Sequence, residues 1–202
     1  MTGDHHFSAD PNAQAAGQTV TFEAGGREFT LAASSRAVSA QRLDPGAAVL
    51  LRKAPLPGPR GGVYLDLGCG YGAITAVLAA SSPAVRVYAV DVDPRALELV
   101  ARNAAALGLS DRIIPATPDR VPDEVVFDEI WSDPPIRIGK AELHEMLLRW
   151  LPRLARHGTA WLVVDRHLGG DSLQAWLSSQ GYQVERCASQ KGYRVLSVAH
   201  AE

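Results

Sequence analysis

Two short strings in this sequence hold residue types able to do chemistry. The first is Asp66-Leu67-Gly68-Cys69-Gly70-Tyr71-Gly72, with Asp91 standing 21 residues after Gly70. Glycines at alternate positions let the backbone turn tightly and approach a ligand with no Cβ in the way, which marks a nucleotide-type loop. The loop alone leaves its ligand open. Gly68-x-Gly70-x-x-Ala73 also satisfies the dinucleotide fingerprint, and an acid at Asp91 would hold ribose hydroxyls in either case. Charge separates the two ligands. Asp66, at the start of the loop, is poorly placed for a pyrophosphate and well placed for a cation. S-adenosylmethionine carries an ammonium and a sulfonium and no phosphate, so it fits better than a nicotinamide dinucleotide. Each acid also has a plainer role, Asp66 as a turn cap and Asp91 as a strand-end group bonding its own backbone. The glycine context outweighs those roles. Cys69 reads as a small packing residue, because no base stands near it in sequence.

The second string is Ile130-Trp131-Ser132-Asp133-Pro134-Pro135-Ile136. Methylating an exocyclic amine requires the nitrogen lone pair to be freed from ring conjugation and aimed, and acceptors for the two amine hydrogens achieve this. The Asp133 carboxylate and the Pro134 carbonyl, with φ fixed by Pro134 and Pro135, form such a rigid acceptor pair and strengthen as positive charge develops on nitrogen. Ile136 offers an apolar wall for a planar group. An Asp-Pro-Pro string can equally just end a strand. In company with the loop and Asp91, the chemical reading prevails over the structural one and over a dehydrogenase.

The elements around these strings must place both at one edge of a sheet. After the cluster Pro55 to Gly62, strands at Val63–Leu67, Val85–Val90, Ile113-Ile114, Val125–Trp131 and Trp161–Val164 alternate with helices at Gly72–Ala80, Asp93–Gly108, Leu143–Leu154 (kinked at Pro152) and Asp171–Ser179. Tyr182–Cys187 and Tyr193–His200 have only the short link Ala188–Gly192 between them, so they pair antiparallel. The expected fold is α/β, a mostly parallel sheet covered by helices on both faces with one reversed strand at or near the edge. Before it, Gln18–Leu31 reads as a hairpin, an appendage or lid, and Asp44-Pro45 caps a short helix to Lys53. Residues 1–17, including His5-His6, read as a disordered tail, residues 18–59 as an extension, and residues 60–202 as the main domain.

Composition narrows the function classes. The 202 residues are 47% apolar and carry a formal charge of −2, so no whole-molecule positive field attracts nucleic acid or anionic lipid. Any basic surface is local. Arg137 and Lys140, beside the proline pair, are placed to meet phosphates; Lys191 and Arg194 on the last hairpin read more simply as surface, and His144 as a packing residue. Two cysteines far apart match no disulfide or zinc spacing, and the chain has neither a membrane-length apolar run nor a signal peptide, so a cytoplasmic protein with no metal and no membrane partner is expected.

Over roughly Ser39 to Ala199 the sequence resembles the RsmC-type methyltransferase small domain family, the ribosomal RNA guanine-N2 methyltransferases and their stand-alone relatives. The strings that carry the resemblance are Leu43-Asp44-Pro45-Gly46, Asp66 to Gly72, Ala89 to Leu97, Pro134-Pro135-Ile136-Arg137-Ile138-Gly139-Lys140 with His144, and Lys191-Gly192-Tyr193-Arg194-Val195-Leu196. The resemblance implies a Rossmann-like, doubly wound class I methyltransferase sheet of seven strands with S-adenosyl-L-methionine as cofactor. By position, Asp66, Gly68, Gly70 and Gly72, with Cys69 among them, would hold the methionine part, and Asp91 with Val92 the ribose. Thr117, or Asp119 two places on, would meet the adenine. Asp133, Pro134 and Pro135 would take the target amine, flanked by Ile136, Arg137 and Lys140 as substrate contacts. The family usually has Asn at Asp133 and an acid at Thr117, and its two-domain members carry a further N-terminal domain. The implied activity is methylation of an exocyclic amine of a nucleic-acid base, guanine N2 of ribosomal RNA, with RNA as partner. The alternatives are a protein glutamine-amide methyltransferase and a cofactor-binding module without turnover.

Overall fold

A computed structural model describes residues 18–34, 42–134, 139–166 and 170–201. The expected tail 1–17 with its histidine pair, and Pro135, Ile136 and Arg137, lie outside them. In chain order the elements are β1 (Gln18–Ala24), β2 (Arg27–Ala33), α1 (Pro45–Lys53), β3 (Gly62–Leu67), α2 (Ala73–Ser81), β4 (Val85–Val90), α3 (Pro94–Ala106), β5 (Ile113–Ala116), β6 (Phe127–Ser132), α4 (Lys140–Trp150), β7 (Leu154–Asp165), α5 (Gly170–Ser179), β8 (Tyr182–Gln190) and β9 (Tyr193–His200). The seven-stranded sheet runs in the order β5-β4-β3-β6-β7-β9-β8. Its first five strands are mutually parallel, and β9 alone is reversed, lying between β7 and the edge strand β8. Fold class, strand number and the place of the reversed strand are as expected.

Alternation along the strands builds two cores. Tyr64, Val87, Ala89, Trp131, Val163 and Val195 face α1, α2 and α3, whereas Leu65, Val90, Ile130, Leu162 and Leu196 face α4 and α5. Fully burying one such aliphatic side chain contributes about 1.5–3 kcal/mol, so the doubly covered sheet is the rigid element to which the loops are attached. Among the described residues no helix is long and apolar enough to cross a membrane.

The structure departs from the sequence expectation in four places. The hairpin is no appendage or lid: Phe29 and Leu31 are buried in the same cluster as α1, α2 and α3. The Asn103 side chain on α3 accepts from Ala32 N and donates to Ala32 O and to Tyr71 O in the glycine loop, at 2.8–2.9 Å, and the Arg27 guanidinium donates to Ala80 O at the end of α2. The helix expected to kink at Pro152 instead stops at Trp150. A single 3-10 turn, Leu151–Arg153, leads directly into β7, because Pro152 has no N–H to continue the helical ladder. Leu151 and Leu154 are buried as their spacing required, but in different elements. Finally, β6 begins at Phe127 rather than Val125, whose carbonyl is taken by the Arg153 guanidinium. The β8–β9 link shortens to Lys191-Gly192, with φ of 52° and 84°, the pair of positive values that a tight hairpin turn needs.

Candidate active site

The order in which strands are added reverses beside β3. The connections through α2 and α3 carry β4 and β5 to one side of β3, and β6 and β7 lie on the other. The crevice outside the carboxyl ends of adjacent parallel strands at such a switch point is where open α/β sheets bind ligands. Here it is bounded by the glycine loop after β3 and by Asp133-Pro134 after β6. The Ser132 hydroxyl, fully buried, donates to Leu67 O at 2.8 Å and fixes the two strand ends to each other.

Hydrogen bonds to the end of β4 lock the glycine loop. Gly68 N and Cys69 N both donate to Val90 O, at 2.8 and 3.1 Å, and Gly72 N donates back to Cys69 O. Asp91 closes the structure: Oδ2 accepts from Gly70 N and Oδ1 from Asp93 N, both at 2.9 Å. Gly68 and Gly70 have φ of 77° and 53°, and a Cβ at either would meet nothing within 4 Å, so both face open space. Gly72 is required differently, since a Cβ there would lie 3.0 Å from Val100 of α3. Cys69 is buried and its thiol is pushed up by burial and by Asp66 and Asp91, as expected of a packing residue.

Asp66 is 1% exposed. Its Oδ2 accepts from the Thr75 backbone N at 2.9 Å and the Thr75 hydroxyl at 2.5 Å, which ties it to the first turn of α2. Oδ1 is buried with no hydrogen-bond partner. Burial pushes the carboxyl up to about 7, against the two Thr75 bonds, which lower it. An orphaned carboxylate oxygen beside an open glycine backbone suits an ammonium group: a cation there would supply the missing partner and offset the desolvation.

Asp133 follows β6 and is half-buried. Its carboxyl lies against the first turn of α1, where a Cβ on Gly46 would come within 2.7 Å of Oδ1 and 2.8 Å of Oδ2. Asp44 is itself the cap of α1, accepting from Gly46 N at 2.8 Å and Ala47 N at 3.4 Å. Burial first, then Asp44, raises the Asp133 carboxyl to about 8.

The remaining site residues fall as follows. Val92 is 80% exposed at the carboxyl end of β4. Thr117 follows β5, whereas Asp119 is drawn to α4 by Arg149 at 2.9 Å, so Thr117 is the one of the two left beside the strand end. Pro134 is half-buried next to Asp133, and Lys140 opens α4 on the surface. On the last hairpin Arg194 is 8% exposed and pairs with Asp171 of α5, so it is not a surface cation. His144 stacks on Trp176 with 3.6 Å between ring centroids, the packing role expected of it. Sequence reasoning missed three residues: Ser132 as the strand staple, Asn103 as the hairpin clamp, and Gly46 as the close neighbour of Asp133. Asn103 could have been found as a polar residue next to the inward-facing Ala104 and three places after Val100, on the buried side of α3.

Against known proteins, residues 28–197 match the methyltransferase small domain family. An uncharacterised Bacillus subtilis protein, YbxB, is 29% identical, with 96% of each chain covered. The ribosomal RNA small subunit methyltransferase C of Pseudomonas aeruginosa is 34% identical over 80% of this chain and 52% of its own length. The solved T. thermophilus 16S rRNA N2 G1207 methyltransferase, in complex with AdoMet and guanosine, superposes with a TM-score of 0.76 at 25% identity, covering 91% of this chain and 50% of that one. The chain therefore spans about half the length of these rRNA methyltransferases and nearly all of YbxB. With the match extending over most of the sequence, the chain belongs to the methyltransferase small domain family and is a class I, S-adenosylmethionine-dependent methyltransferase.

Proposed function

We propose that the protein methylates an exocyclic amine of a nucleic-acid base, guanine N2 of ribosomal RNA. The observation that carries this reading is the juxtaposition, across one switch point, of a buried carboxylate oxygen with no partner at Asp66 and a Pro-braced acceptor pair at Asp133-Pro134. The first suits the cationic amino-acid end of the cofactor; the second suits a planar amine. Support for a base as acceptor comes from the similarity to two rRNA methyltransferases, one of them solved with guanosine.

When bound, S-adenosylmethionine supplies an electrophilic methyl group: the N–C bond forms, the C–S bond breaks with its electron pair leaving on sulfur, and one amine proton is released. The work of this chain is placement. The glycine backbone and Asp66 would hold the methionine part, and Asp91, already fixed by Gly70 and Asp93, would offer its remaining lone pairs to the ribose hydroxyls. One Asp133 oxygen and the Pro134 carbonyl would accept the two amine hydrogens, turning the nitrogen lone pair out of ring conjugation and toward the methyl carbon.

Incubation with methyl-labelled cofactor and either total RNA or a protein extract tests the reading. Label recovered as N2-methylguanosine in RNA is expected. Label in glutamine side chains of protein, or cofactor binding with no transfer to either, would overturn it.

A further inference from the structure

We infer that a cationic rim, formed by Arg52 at the end of α1 and Lys191 in the β8–β9 turn, carries the phosphate backbone of a single RNA strand as it leaves the acceptor site. The inference deepens the base-methylation reading above and rests on it for the choice of RNA.

Strand order sets where a polynucleotide can lie. The ends of β5, β4 and β3 carry the cofactor bank, β6 ends at Asp133, and β7, β9 and β8 follow beyond it. A base whose amine meets Asp133 has the cofactor on one side, so the adjoining nucleotides pass over the other. The start of β9 is at this same edge, because β9 runs antiparallel to β7 and Tyr193 stands opposite Asp165. Two strand spacings, about 10 Å, separate β6 from β9. The formal charge of the chain is −2, so a strand of phosphates can be held only by local cations.

Three segments far apart in sequence bring cations to that side. α1 runs from Gly46, which lies against Asp133, to Arg52, whose guanidinium donates to Gln190 Oε1 at 2.8 Å. One short helix thus links the acceptor site to the end of β8. Lys191 follows Gln190 in the turn and is exposed. Arg166, exposed just after β7, donates its backbone N–H to Gly192 O at 2.8 Å and so adjoins the same turn. Asp165 offsets one of these charges, and α1 contains no acid, so the rim stays positive. Among the described residues neither Arg52 nor Lys191 belongs to an ion pair, whereas Arg95, Arg112, Arg149, Arg186 and Arg194 are each paired with an aspartate. The guanidinium N–H groups that Gln190 leaves over, and the Lys191 ammonium, are donors suited to phosphate oxygens. They contact no base edge, so they position the strand and do not read its sequence.

The test is the salt dependence of RNA binding by the full chain, read as fluorescence anisotropy of a labelled single-stranded RNA oligonucleotide between about 50 and 200 mM salt. Arg52→Gln with Lys191→Gln should weaken binding about tenfold at the lower salt and reduce the slope of log affinity against log salt by about 1.4, the share of two phosphate contacts on a single strand. Arg102→Gln removes an exposed cation of α3, on the cofactor side of the sheet, and should leave RNA affinity within about twofold. In the transfer assay the double variant should raise the KM for RNA about tenfold, with cofactor KM within about twofold. An unchanged slope in the double variant, or an equal loss in Arg102→Gln, overturns the inference. So does polyglutamate competing as strongly as RNA, which would make the rim a surface for acidic peptides. Binding needs no methyl transfer, so the two failures separate. RNA bound through the rim with label only in protein keeps the rim and discards the function; N2-methylguanosine with an unmoved slope keeps the function and discards the rim.

Discussion

The two banks of the crevice are built by opposite means. On the cofactor bank, the glycine loop and Asp91 are fixed almost wholly by backbone N–H groups over a short stretch of chain, from Gly68 N on Val90 O to Asp93 N on Asp91. On the acceptor bank, Asp133 is packed against the end of a helix from a segment far upstream, the first turn of α1 at Gly46. A site made of local backbone contacts is present as soon as its own strands pair. One made by packing distant segments together depends on the whole domain. Binding and transfer should therefore respond to different substitutions.

The strongest break is Asp133→Ala. It removes one of the two acceptors for the amine while leaving the hydrogen bonds of the glycine loop to Val90 and Asp91 intact, so transfer should fall by about a thousandfold or more with cofactor affinity within about threefold. Calorimetric titration of the cofactor beside a labelled-methyl assay measures both. Near-normal turnover would remove Asp133 from the chemistry. Asp91→Ala is the converse. It strips the partners from Gly70 N and Asp93 N as well as the proposed ribose contact, and two lost charge-assisted bonds should weaken cofactor binding by about 10–100-fold. An unchanged affinity would mean that the loop holds its shape and the ribose without that acid.

The same contrast governs how much could be read from the sequence. The cofactor bank was legible because its determinants are contiguous: positive-φ glycines declare themselves by type, and Asp91 closes a strand of Val and Ala. The acceptor bank was half legible. Asp133-Pro134 stood out, but nothing in a linear string shows that Gly46, in the first turn of α1, has no room for a Cβ because Asp133 lies against it. Likewise Leu151 and Leu154 announced burial but not that a chain break at Pro152 places them in different elements. The hairpin looked separable because its own alternation is complete; only the buried amide of Asn103 shows it to be clamped to the loop. Local pattern reports which residues are buried, and tertiary pairing decides what they are buried against.

A smaller effect sharpens the cofactor bank. In the free protein Asp66 is held up to about 7 by burial, yet a cationic ligand is best held by the carboxylate. Below that value binding must first expel a proton, so affinity should decline as pH falls from about 7.5 to about 5.5, approaching tenfold per unit at the acid end. Stability of the free protein runs the other way. Between the ordinary carboxylate range and about 7 the folded chain keeps a proton that the unfolded chain has released, so stability declines as pH rises through that window. Asp66→Asn, which can still accept from Thr75, should flatten both trends. Cofactor titrations in buffers of different ionisation enthalpy count the released proton directly, and a pH-independent affinity would break the assignment.

The smallest expected effect decides between Thr117 and Asp119. Asp119 is 88% exposed and its carboxylate is paired with Arg149; such surface pairs contribute a few tenths of a kcal/mol at most. Asp119→Ala should therefore leave the melting temperature almost unmoved and the cofactor affinity within about twofold. Thr117 instead lies where β5 ends, beside the β4 end that carries Asp91 and the exposed Val92, with Asp91 N donating to Ala116 O at 3.4 Å. Replacing Thr117 with a bulky Leu should weaken cofactor binding without altering the loop bonds that Asp91 makes. If Asp119→Ala proved the more damaging of the two, the Arg149 pair would have to open on binding, and the adenine side of the cofactor bank would share the dependence on distant side chains that marks the acceptor bank.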